Sequence, residues 1–476
     1  MTGQIENLKA NRSLGRGNQM ERDAHYYEEK AEEFKLAGDA EGVAAALYQA
    51  AAHDRYLRSQ RQHYSGYLFA LHYLEGIGAD DLRAAHLAYG ELYRDEEVLP
   101  PVGAYKHEKI RIGYLAPRFV ESSAMRFAEP LMLGLDRDRF EVFAFSVGEE
   151  EDSFIVRLKE NLDRQGAGGH YFCLYGLSLG EGALAVREKE IDILFDLGGH
   201  SEGGQTLMIM AKKPAPVQLS GLGYFDTLGL LEGIVDGFLA DEVLLPLGEE
   251  EKFLEPLFRL PQALAFQPTA AMRNFRAGLA SRRTQGGVVF GVVQNMLKIT
   301  DSALKAWGRI LQDVPGSRLL IKDVLPKSER IERLRQRADS LGLPLERIEL
   351  RGGSLSFWDI YRELDLVLDT FPYPGGYMTA LALYFGVPVV TLRGDSYGSR
   401  FGAAILKAAG REELIADSVE EYVEKVIELG GDEIKLRQAQ ERLFDEIVDS
   451  SLLDVSTYVR KVAEELSCLH RLRGGA

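Results

Sequence analysis

The segment from Glu363 to Leu392 constrains the fold more than any other part of this sequence. An apolar run of strand length, Leu364 to Leu368, is followed by a turn rich in proline and glycine. An apolar helical stretch over Tyr377–Phe385 and a second apolar run complete the segment. Strand, helix and strand in this order form a βαβ unit, and such units build parallel sheets. We therefore predict an α/β fold with parallel strands.

The turn of this unit contains two glycines, Gly375 and Gly376, at the point where the first strand gives way to the helix. The N–H groups at a helix N-terminus have no acceptor within the helix and can bind an anion, and glycine lets the anion come close. This arrangement predicts a phosphate site. A tight turn with a purely structural role is the alternative, and the segment alone leaves it open.

Composition and charge limit the class of protein. The 476 residues suffice for two or three domains, and 46% hydrophobic with 27% charged residues is typical of a globular protein. The net charge of −17 argues against a general nucleic-acid binder and against binding to acidic membranes. No apolar stretch approaches the ~18 residues of a membrane span, and the N-terminus lacks the apolar core of a signal peptide. Because Cys173 and Cys468 also have no metal-site spacing, we expect a cytoplasmic protein.

The N-terminal part of the chain is predicted to be helical. Residues 1–19 are polar and are expected to be flexible, whereas residues 20–97 repeat small and aromatic side chains at helical spacing around Gly38–Asp39. This pattern is typical of one tetratricopeptide-like helix–turn–helix, followed by two more helices. Because one such unit cannot bury both its faces, we expect it to pack on the next domain, either as a structural cap or as a binding device.

The rest of the chain alternates strands and helices, which predicts two α/β domains over residues 107–265 and 287–452. The polar stretch between them, 266–286, is expected to be an irregular connection. Residues 453–476 are predicted to form a last amphipathic helix that crosses back to the first domain. Two such domains should enclose a cleft, which is where ligands usually bind.

Several stretches in one collinear order resemble the protein O-GlcNAc transferase family, including its bacterial and SPINDLY-like members. The resemblance extends from about Tyr67 to the C-terminus. The stretches are YLFALHY at 67–73, DLGGHSEG at 196–203, KPAPVQLSGLG at 213–223, FGVVQNMLKIT at 290–300, WGRILQDVPGSRLL at 307–320, DTFPYPGGYMTALALYFGVPVV at 369–390 and GDSYGSRFG at 394–402.

The resemblance implies a GT-B fold, in which two Rossmann-like domains face each other and the C-terminal one holds the donor nucleotide. It also implies transfer of a sugar, GlcNAc or a hexose, from a UDP-sugar to serine or threonine of a protein or peptide, or less often to asparagine. The reaction would proceed with inversion and without a metal, and the UDP-sugar would be a substrate, so no cofactor is expected. Whether the protein forms a homo-oligomer stays open.

The donor-binding candidates follow from the resemblance together with the chemistry of a leaving diphosphate. Negative charge grows on that group in the transition state, so a cation and preorganised donors should meet it. Lys298 stands at the position of the family's diphosphate lysine, and Gly375 and Gly376 would offer backbone donors; a solvated lysine is the alternative for Lys298. The other donor-binding candidates are Gln294, Asn295, Phe357, Tyr377, Met378 and Thr379.

The catalytic candidates are His200, Glu121 and Lys298. His200 follows a predicted strand among glycines, where it would contact acceptor or sugar or shuttle a proton, or else fix the glycine loop by hydrogen bonds. Glu121 could replace a histidine that the family has nearby, or be a solvated surface residue. Arg400 is interpreted as one half of a structural ion pair rather than as a residue that faces the cleft.

Four positions depart from the family pattern. The family's candidate base is absent from Glu121–Ser123, and the vertebrate histidine near the base ring is Phe357 here. The family's Thr-Thr pair is Tyr377–Met378, and the acidic residue that binds the donor ribose is Leu381. These departures support a second hypothesis, a degenerate homologue that acts as a scaffold or partner subunit. A sugar-nucleotide epimerase is a third reading, although its acidic catalytic pairs are not apparent.

Overall fold

The computed structural model describes residues 23–103, 105–149, 152–164, 170–279, 287–325, 328–353, 357–472 and 474. The predicted flexible N-terminus, 1–19, lies outside these residues. No helix in the described ranges is long and apolar enough to cross a membrane, and the cytoplasmic location stays a prediction.

The N-terminal region consists of helices, as predicted. Gly38 takes the left-handed conformation, with φ of 71°, and Asp39 accepts a hydrogen bond from the N–H of Gly42 at 2.8 Å, which starts the second helix. This is the expected helix–turn–helix around Gly38–Asp39. The helices are α1 (Ala24–Ala37), α2 (Ala40–His53), α3 (Leu57–Leu71) and α4 (Ala79–Gly90).

The first lobe is a seven-stranded sheet with all pairings parallel, in the order β3-β2-β1-β4-β5-β6-β7. Its central strands are buried on both faces, which explains their continuous apolar sequences. All seven strands fall within the predicted range 107–265. The elements are β1 (Ile110–Ala116), α5 (Ser123–Gly134), β2 (Phe140–Ser146), α6 (Ser153–Asp163), β3 (Tyr171–Cys173), α7 (Leu179–Arg187), β4 (Ile193–Asp196), α8 (Gln205–Met210), β5 (Val217–Ser220), β6 (Gly237–Ala240) and β7 (Leu257–Arg259).

The second lobe is a six-stranded parallel sheet, in the order β10-β9-β8-β11-β12-β13. The predicted βαβ unit is present as β11, α12 and β12, and β11 pairs with both β8 and β12. The elements are α9 (Ala270–Ala277), β8 (Val289–Gln294), α10 (Asp301–Asp313), β9 (Arg318–Asp323), α11 (Ser328–Ser340), β10 (Ile348–Arg351), β11 (Leu366–Leu368), α12 (Tyr377–Tyr384), β12 (Val389–Leu392), α13 (Phe401–Ala408), β13 (Ile415–Ala416), α14 (Val419–Gly430), α15 (Glu433–Glu446) and α16 (Val455–Leu472).

The connection predicted to be irregular over 266–286 contains a helix, so that prediction was wrong for its described part. Helix α9 begins where Thr269 accepts a hydrogen bond from the N–H of Met272 at 3.2 Å. Met272 is buried, and Arg276 donates to the carbonyl oxygen of Tyr384 at 2.9 Å. Packing on the second lobe therefore stabilises a helix that the polar sequence does not reveal. Residues 280–286 lie outside the described ranges.

The lobes are joined through the segment 394–402. Arg400 donates to both carboxylate oxygens of Glu249, at 2.7 and 3.2 Å, and is therefore a structural ion-pair residue, as predicted. Tyr397 donates from its hydroxyl to the carbonyl oxygen of Leu239 at 2.8 Å. Both contacts connect the second lobe to the first.

The last helix returns to the first lobe, as predicted. The Tyr458 hydroxyl donates to the carbonyl oxygen of Ala263 at 3.0 Å, and Arg139 donates to the Ser467 hydroxyl at 2.8 Å. These bonds attach α16 to the first lobe, so the two lobes are tied at a second place.

Candidate active site

The turn after β11 is organised by one buried carboxylate, Asp369. It accepts hydrogen bonds from the backbone N–H groups of Thr370 at 3.0 Å and Gly375 at 2.7 Å. The hydroxyls of Thr379 and Thr391 donate to its other oxygen at 3.3 and 2.9 Å. Burial raises the pKa of this carboxyl to about 6. Because one side chain binds both ends of the turn, the turn is held in a single shape.

The two glycines of the turn have different surroundings. A Cβ atom on Gly375 would lie within 3.0 Å of Nε2 of Gln294 and of Oγ1 of Thr379, so no larger residue fits without displacing them. A Cβ atom on Gly376 would meet nothing closer than 3.7 Å. Packing therefore requires glycine at 375, whereas a methyl group at 376 would make only ordinary van der Waals contacts with Phe401 and Phe127.

The first turn of α12 carries free donors. Gly376 is its N-cap, and the first backbone bond of the helix runs from Ala380 N–H to Gly376 O at 3.1 Å. In the described chain, the N–H groups of Tyr377, Met378 and Thr379 donate to no acceptor. Unsatisfied N–H groups at a helix N-terminus favour an anion. The geometry is thus that of the expected phosphate site, and occupation by phosphate stays a prediction.

Lys298 lies against this turn. It ends a short 3₁₀ helix, Met296–Lys298, and its Nζ donates to the carbonyl oxygen of Pro374 at 3.0 Å. The Nζ atom also lies 4.2 Å from the ring centre of Tyr373. Burial lowers the pKa of Lys298 to about 8, and the carboxylate of Asp369 opposes that shift. The half-buried ammonium of Lys298 therefore contacts Pro374, the residue directly before Gly375 and Gly376.

The two polar residues at the end of β8 differ in their contacts. Gln294 is buried and its amide lies beside Gly375. The Oδ1 atom of Asn295 accepts hydrogen bonds from the N–H of Leu297 at 3.1 Å and from Nη2 of Arg330 at 2.5 Å. Gln294 therefore lines the glycine turn, whereas Asn295 closes the loop that leads to Lys298.

Aromatic side chains of the first lobe pack against the glycine turn of the second lobe. The Phe225 ring centre lies 4.5 Å from that of Tyr373 and 6.3 Å from that of Phe401. Phe127, on α5, comes within 3.8 Å of the position that a Cβ on Gly376 would take. The predicted cleft is thus narrow in this structure, and the lobes touch around the turn.

The residues that follow the glycines point in different directions. Tyr377 is buried, and burial raises the pKa of its phenol to about 12, a shift that Arg126 of the first lobe opposes. The carbonyl oxygen of Met378 accepts a hydrogen bond from the Tyr361 hydroxyl at 3.3 Å. Thr379 binds Asp369, as described above. Tyr377 therefore lies near enough to the opposite lobe to be influenced by Arg126.

His200 lies between the helical region and the first lobe. Its Nε2 lies 2.8 Å from the carbonyl oxygen of Leu228, which can only accept, so Nε2 carries the hydrogen and Nδ1 accepts from the Ser65 hydroxyl at 2.9 Å. Burial and the neighbouring His86 hold the pKa of His200 well below its usual range. This geometry favours the alternative in which the histidine fixes the glycine loop, and a catalytic role stays a prediction.

Glu121 is bound by arginines. Its carboxylate pairs with Arg126 and accepts a hydrogen bond from Nη2 of Arg157 at 2.7 Å. Glu121 is thus an exposed residue, as the alternative expects, but both of its carboxylate oxygens are bound by arginines. A role as catalytic base stays a prediction.

The remaining departures from the family pattern are placed as follows. Ser122 is the N-cap of α5 and accepts a hydrogen bond from the N–H of Met125 at 3.3 Å, a position that serine favours. Leu381 is fully buried. Phe357 begins a 3₁₀ helix, Phe357–Arg362, and its side chain lies outside the described residues.

Three residues without a predicted role belong to this arrangement. Asp369 fixes the glycine turn, Arg330 binds Asn295, and Arg126 reaches Tyr377. Asp369 could have been found from the sequence, because it is a carboxylate directly after a buried strand. Within the described ranges, no three His, Cys, Asp or Glu side chains converge in a way that could hold a metal ion.

Comparison with known proteins gives matches along most of the chain. It is 31% identical over 408 residues to the probable UDP-N-acetylglucosamine–peptide N-acetylglucosaminyltransferase SPINDLY of Solanum lycopersicum, and 33% identical over 401 residues to the protein of that description from Arabidopsis thaliana. The alignments cover 83% and 79% of this chain and 42% of each relative. The chain therefore spans less than half the length of these relatives.

A solved structure of a mutant Thermobaculum terrenum O-GlcNAc transferase is 28% identical, with a TM-score of 0.84, and the match covers 95% of this chain and 85% of that one. This likeness and the two parallel sheets confirm the predicted GT-B fold with a helical region in front of it. The model of glycosyl transferase family 41 matches residues 96–275 and 276–462. Because that match covers more than half of the sequence, the chain belongs to glycosyl transferase family 41.

Proposed function

We propose that this chain is an inverting, metal-independent protein glycosyltransferase. It would move a sugar, GlcNAc or a hexose, from a UDP-sugar to a serine or threonine of a protein or peptide, with asparagine less favoured. The UDP-sugar is a substrate, and the reaction needs no further cofactor. The observation that carries this proposal is the contact between Lys298 and the Gly375–Gly376 turn, with the free N–H groups of α12 beside it.

The chemistry assigned to this contact is stabilisation of the leaving UDP. As the bond from the sugar carbon to the phosphate oxygen breaks, charge grows on the diphosphate. The ammonium of Lys298 has three N–H donors, and Pro374 accepts from one of them, so the others are available to phosphate oxygens. Charged donors in a largely water-excluded turn act strongly because little solvent screens them.

The acceptor side is proposed to lie in the first lobe. The acceptor hydroxyl attacks the sugar carbon from the face opposite the leaving UDP, which gives inversion. Since both nitrogens of His200 and the carboxylate of Glu121 have protein partners, we assign the hydroxyl proton to an oxygen of the leaving phosphate. In this proposal His200 and Glu121 stabilise the structure of the acceptor side and do not take up the proton.

A degenerate homologue that serves as a scaffold or partner subunit is the second candidate. Leu381 is apolar and fully buried where the family binds ribose, and the rings of Phe225 and Tyr373 close the space in front of the turn. A donor would have to separate these rings to reach Lys298. If they do not separate, the chain keeps the fold without the reaction.

Calorimetry with UDP, UDP-GlcNAc and UDP-glucose separates the two candidates. We expect wild type to bind UDP, Lys298→Ala to bind it about 10- to 100-fold more weakly, and Lys305→Ala to bind it as wild type does. Lys305 is the matched control because it is an exposed lysine on the neighbouring α10. Absence of binding to every nucleotide supports the scaffold. Mass spectrometry of acceptor proteins incubated with the same donors then tests for transfer.

A further inference from the structure

An ion pair is buried behind the 3₁₀ helix that ends at Lys298. Asp323 is the last residue of β9 and Arg330 lies on α11, and their side chains are 0% and 1% exposed. Nε of Arg330 lies 3.1 Å from Oδ2 of Asp323. The cost of removing both charges from water can exceed their attraction, so a buried ion pair often adds little to the stability of the fold. Its contacts with the segment that leads to Lys298 therefore indicate a more specific role.

The pair controls the acceptors that fix the 3₁₀ helix. Oδ1 of Asp323 accepts a hydrogen bond from the N–H of Met296 at 3.3 Å, and Oδ1 of Asn295 accepts one from the N–H of Leu297 at 3.1 Å. Arg330 binds both acceptor side chains, because its Nη2 also donates to Oδ1 of Asn295 at 2.5 Å. One guanidinium thus holds the two side chains that shape this helix.

Lys298 depends on this shape. Its own N–H donates to the carbonyl oxygen of Asn295 at 2.9 Å, and its ammonium reaches Pro374 at 3.0 Å. We propose that Arg330 is a positioning residue for Lys298, acting through Asn295 and Asp323 to direct the ammonium at the donor diphosphate. The identity of the ligand rests on the proposed function, whereas the geometry of the 3₁₀ helix does not.

The test compares Arg330→Met with Arg333→Met. Both variants remove an arginine from α11, but Arg333 is exposed and pairs with Glu329 at 3.1 Å on the surface. We expect Arg330→Met to weaken UDP binding about ten-fold or more, since a displacement of ~1 Å at a reacting group has effects of that size, and Arg333→Met to leave binding unchanged. Arg330→Lys keeps a cation beside Asp323 but lacks the planar fork of arginine. This variant should fold, and its UDP binding should be weaker than that of wild type, as in Arg330→Met.

Two further measurements separate positioning from general damage. In Lys298→Ala, adding Arg330→Met should cause no further loss of UDP affinity, whereas a merely structural effect would add to the first. Without any nucleotide, NMR of ¹³C-labelled lysine should find Lys298 titrating near pH 8 in wild type, where burial lowers its pKa. It should titrate at a higher pH in Arg330→Lys, which keeps the charge but lets the Lys298 ammonium leave its buried position.

The outcomes are distinguishable. If wild type binds no nucleotide, the proposed function fails and the lysine titration still decides the positioning. If wild type binds UDP and Arg330→Met binds it equally well, or if the double variant loses affinity additively, the positioning inference is overturned. An unchanged Lys298 titration in a folded Arg330→Lys protein also overturns it.

Discussion

Replacing Gly375 with alanine inserts a methyl group where three atoms already lie. The new Cβ would come within 3.0 Å of the amide of Gln294 and the hydroxyl of Thr379, and 3.1 Å from Oδ1 of Asp369. Gln294 and Thr379 must move, and the hydrogen bonds that Gly375 and Thr379 give to the buried carboxylate weaken. Overpacking costs about 1–3 kcal/mol, and hydrogen bonds to a charged group contribute about 1.5–3 kcal/mol. We therefore expect a loss of stability of about 2–5 kcal/mol.

Gly376→Ala is the matched control, because its Cβ meets nothing closer than 3.7 Å. Exchanging an N-cap glycine for alanine should cost about 1 kcal/mol or less. Thermal and urea unfolding of both variants measure the difference. The same methyl group borders the free N–H groups of α12, so Gly376→Ala should weaken UDP binding while the protein stays folded. Equal stability of the two variants, or a larger loss in Gly376→Ala, would refute this account of the turn.

Two more perturbations test contacts away from the turn. Burial lowers the pKa of His86 to about 4, below the unfolded value near 6.5. The contribution of His86 to stability should therefore be constant above pH 6.5 and fall as the pH drops toward 4, by about 3 kcal/mol in all. Unfolding measured from pH 7.5 to 5.5 should show this slope in wild type and in the exposed control His53→Gln, and a smaller slope in His86→Gln. Arg400→Met leaves Glu249 without its bidentate partner and should cost about 1–3 kcal/mol in urea unfolding. Arg393→Met, which breaks an exposed pair, should cost about 0–1 kcal/mol; equal losses would contradict the structural role of Arg400.

Local pattern was enough for the buried elements of the βαβ unit. The strands Leu366–Leu368 and Val389–Leu392 and the helix Tyr377–Tyr384 lie within the predicted runs, since those runs are continuous and a proline–glycine turn separates them. The strands Tyr171–Cys173 and Leu257–Arg259 were not predicted. Unlike Leu366–Leu368, these strands are mostly half-buried or exposed and do not stand in a continuous apolar run, so pairing with neighbouring strands fixes them.

The surroundings of the site depend on contacts that sequence pattern does not contain. Nδ1 of His200 accepts a hydrogen bond from the hydroxyl of Ser65, which lies 135 positions earlier in the chain. The sequence placed His200 correctly at a strand end among glycines, but it could not show that a helix of the N-terminal region covers it. In the same way, Phe225 and Tyr373 meet only because the two lobes fold against each other.

The residues that depart from the family pattern are packed or paired in this structure. A site that had decayed without replacement should leave voids and unpaired polar groups. Here Ser122 caps a helix, Glu121 pairs with Arg126, and Leu381 is fully buried. Arg126 belongs to the first lobe and Tyr377 to the second, yet the guanidinium is near enough to the phenol to oppose the rise of its pKa. Two changed positions, Glu121 in the first lobe and Tyr377 in the second, are thus linked through Arg126. A transferase with an altered donor pocket explains this linkage around a lysine and glycine turn better than an eroded scaffold does.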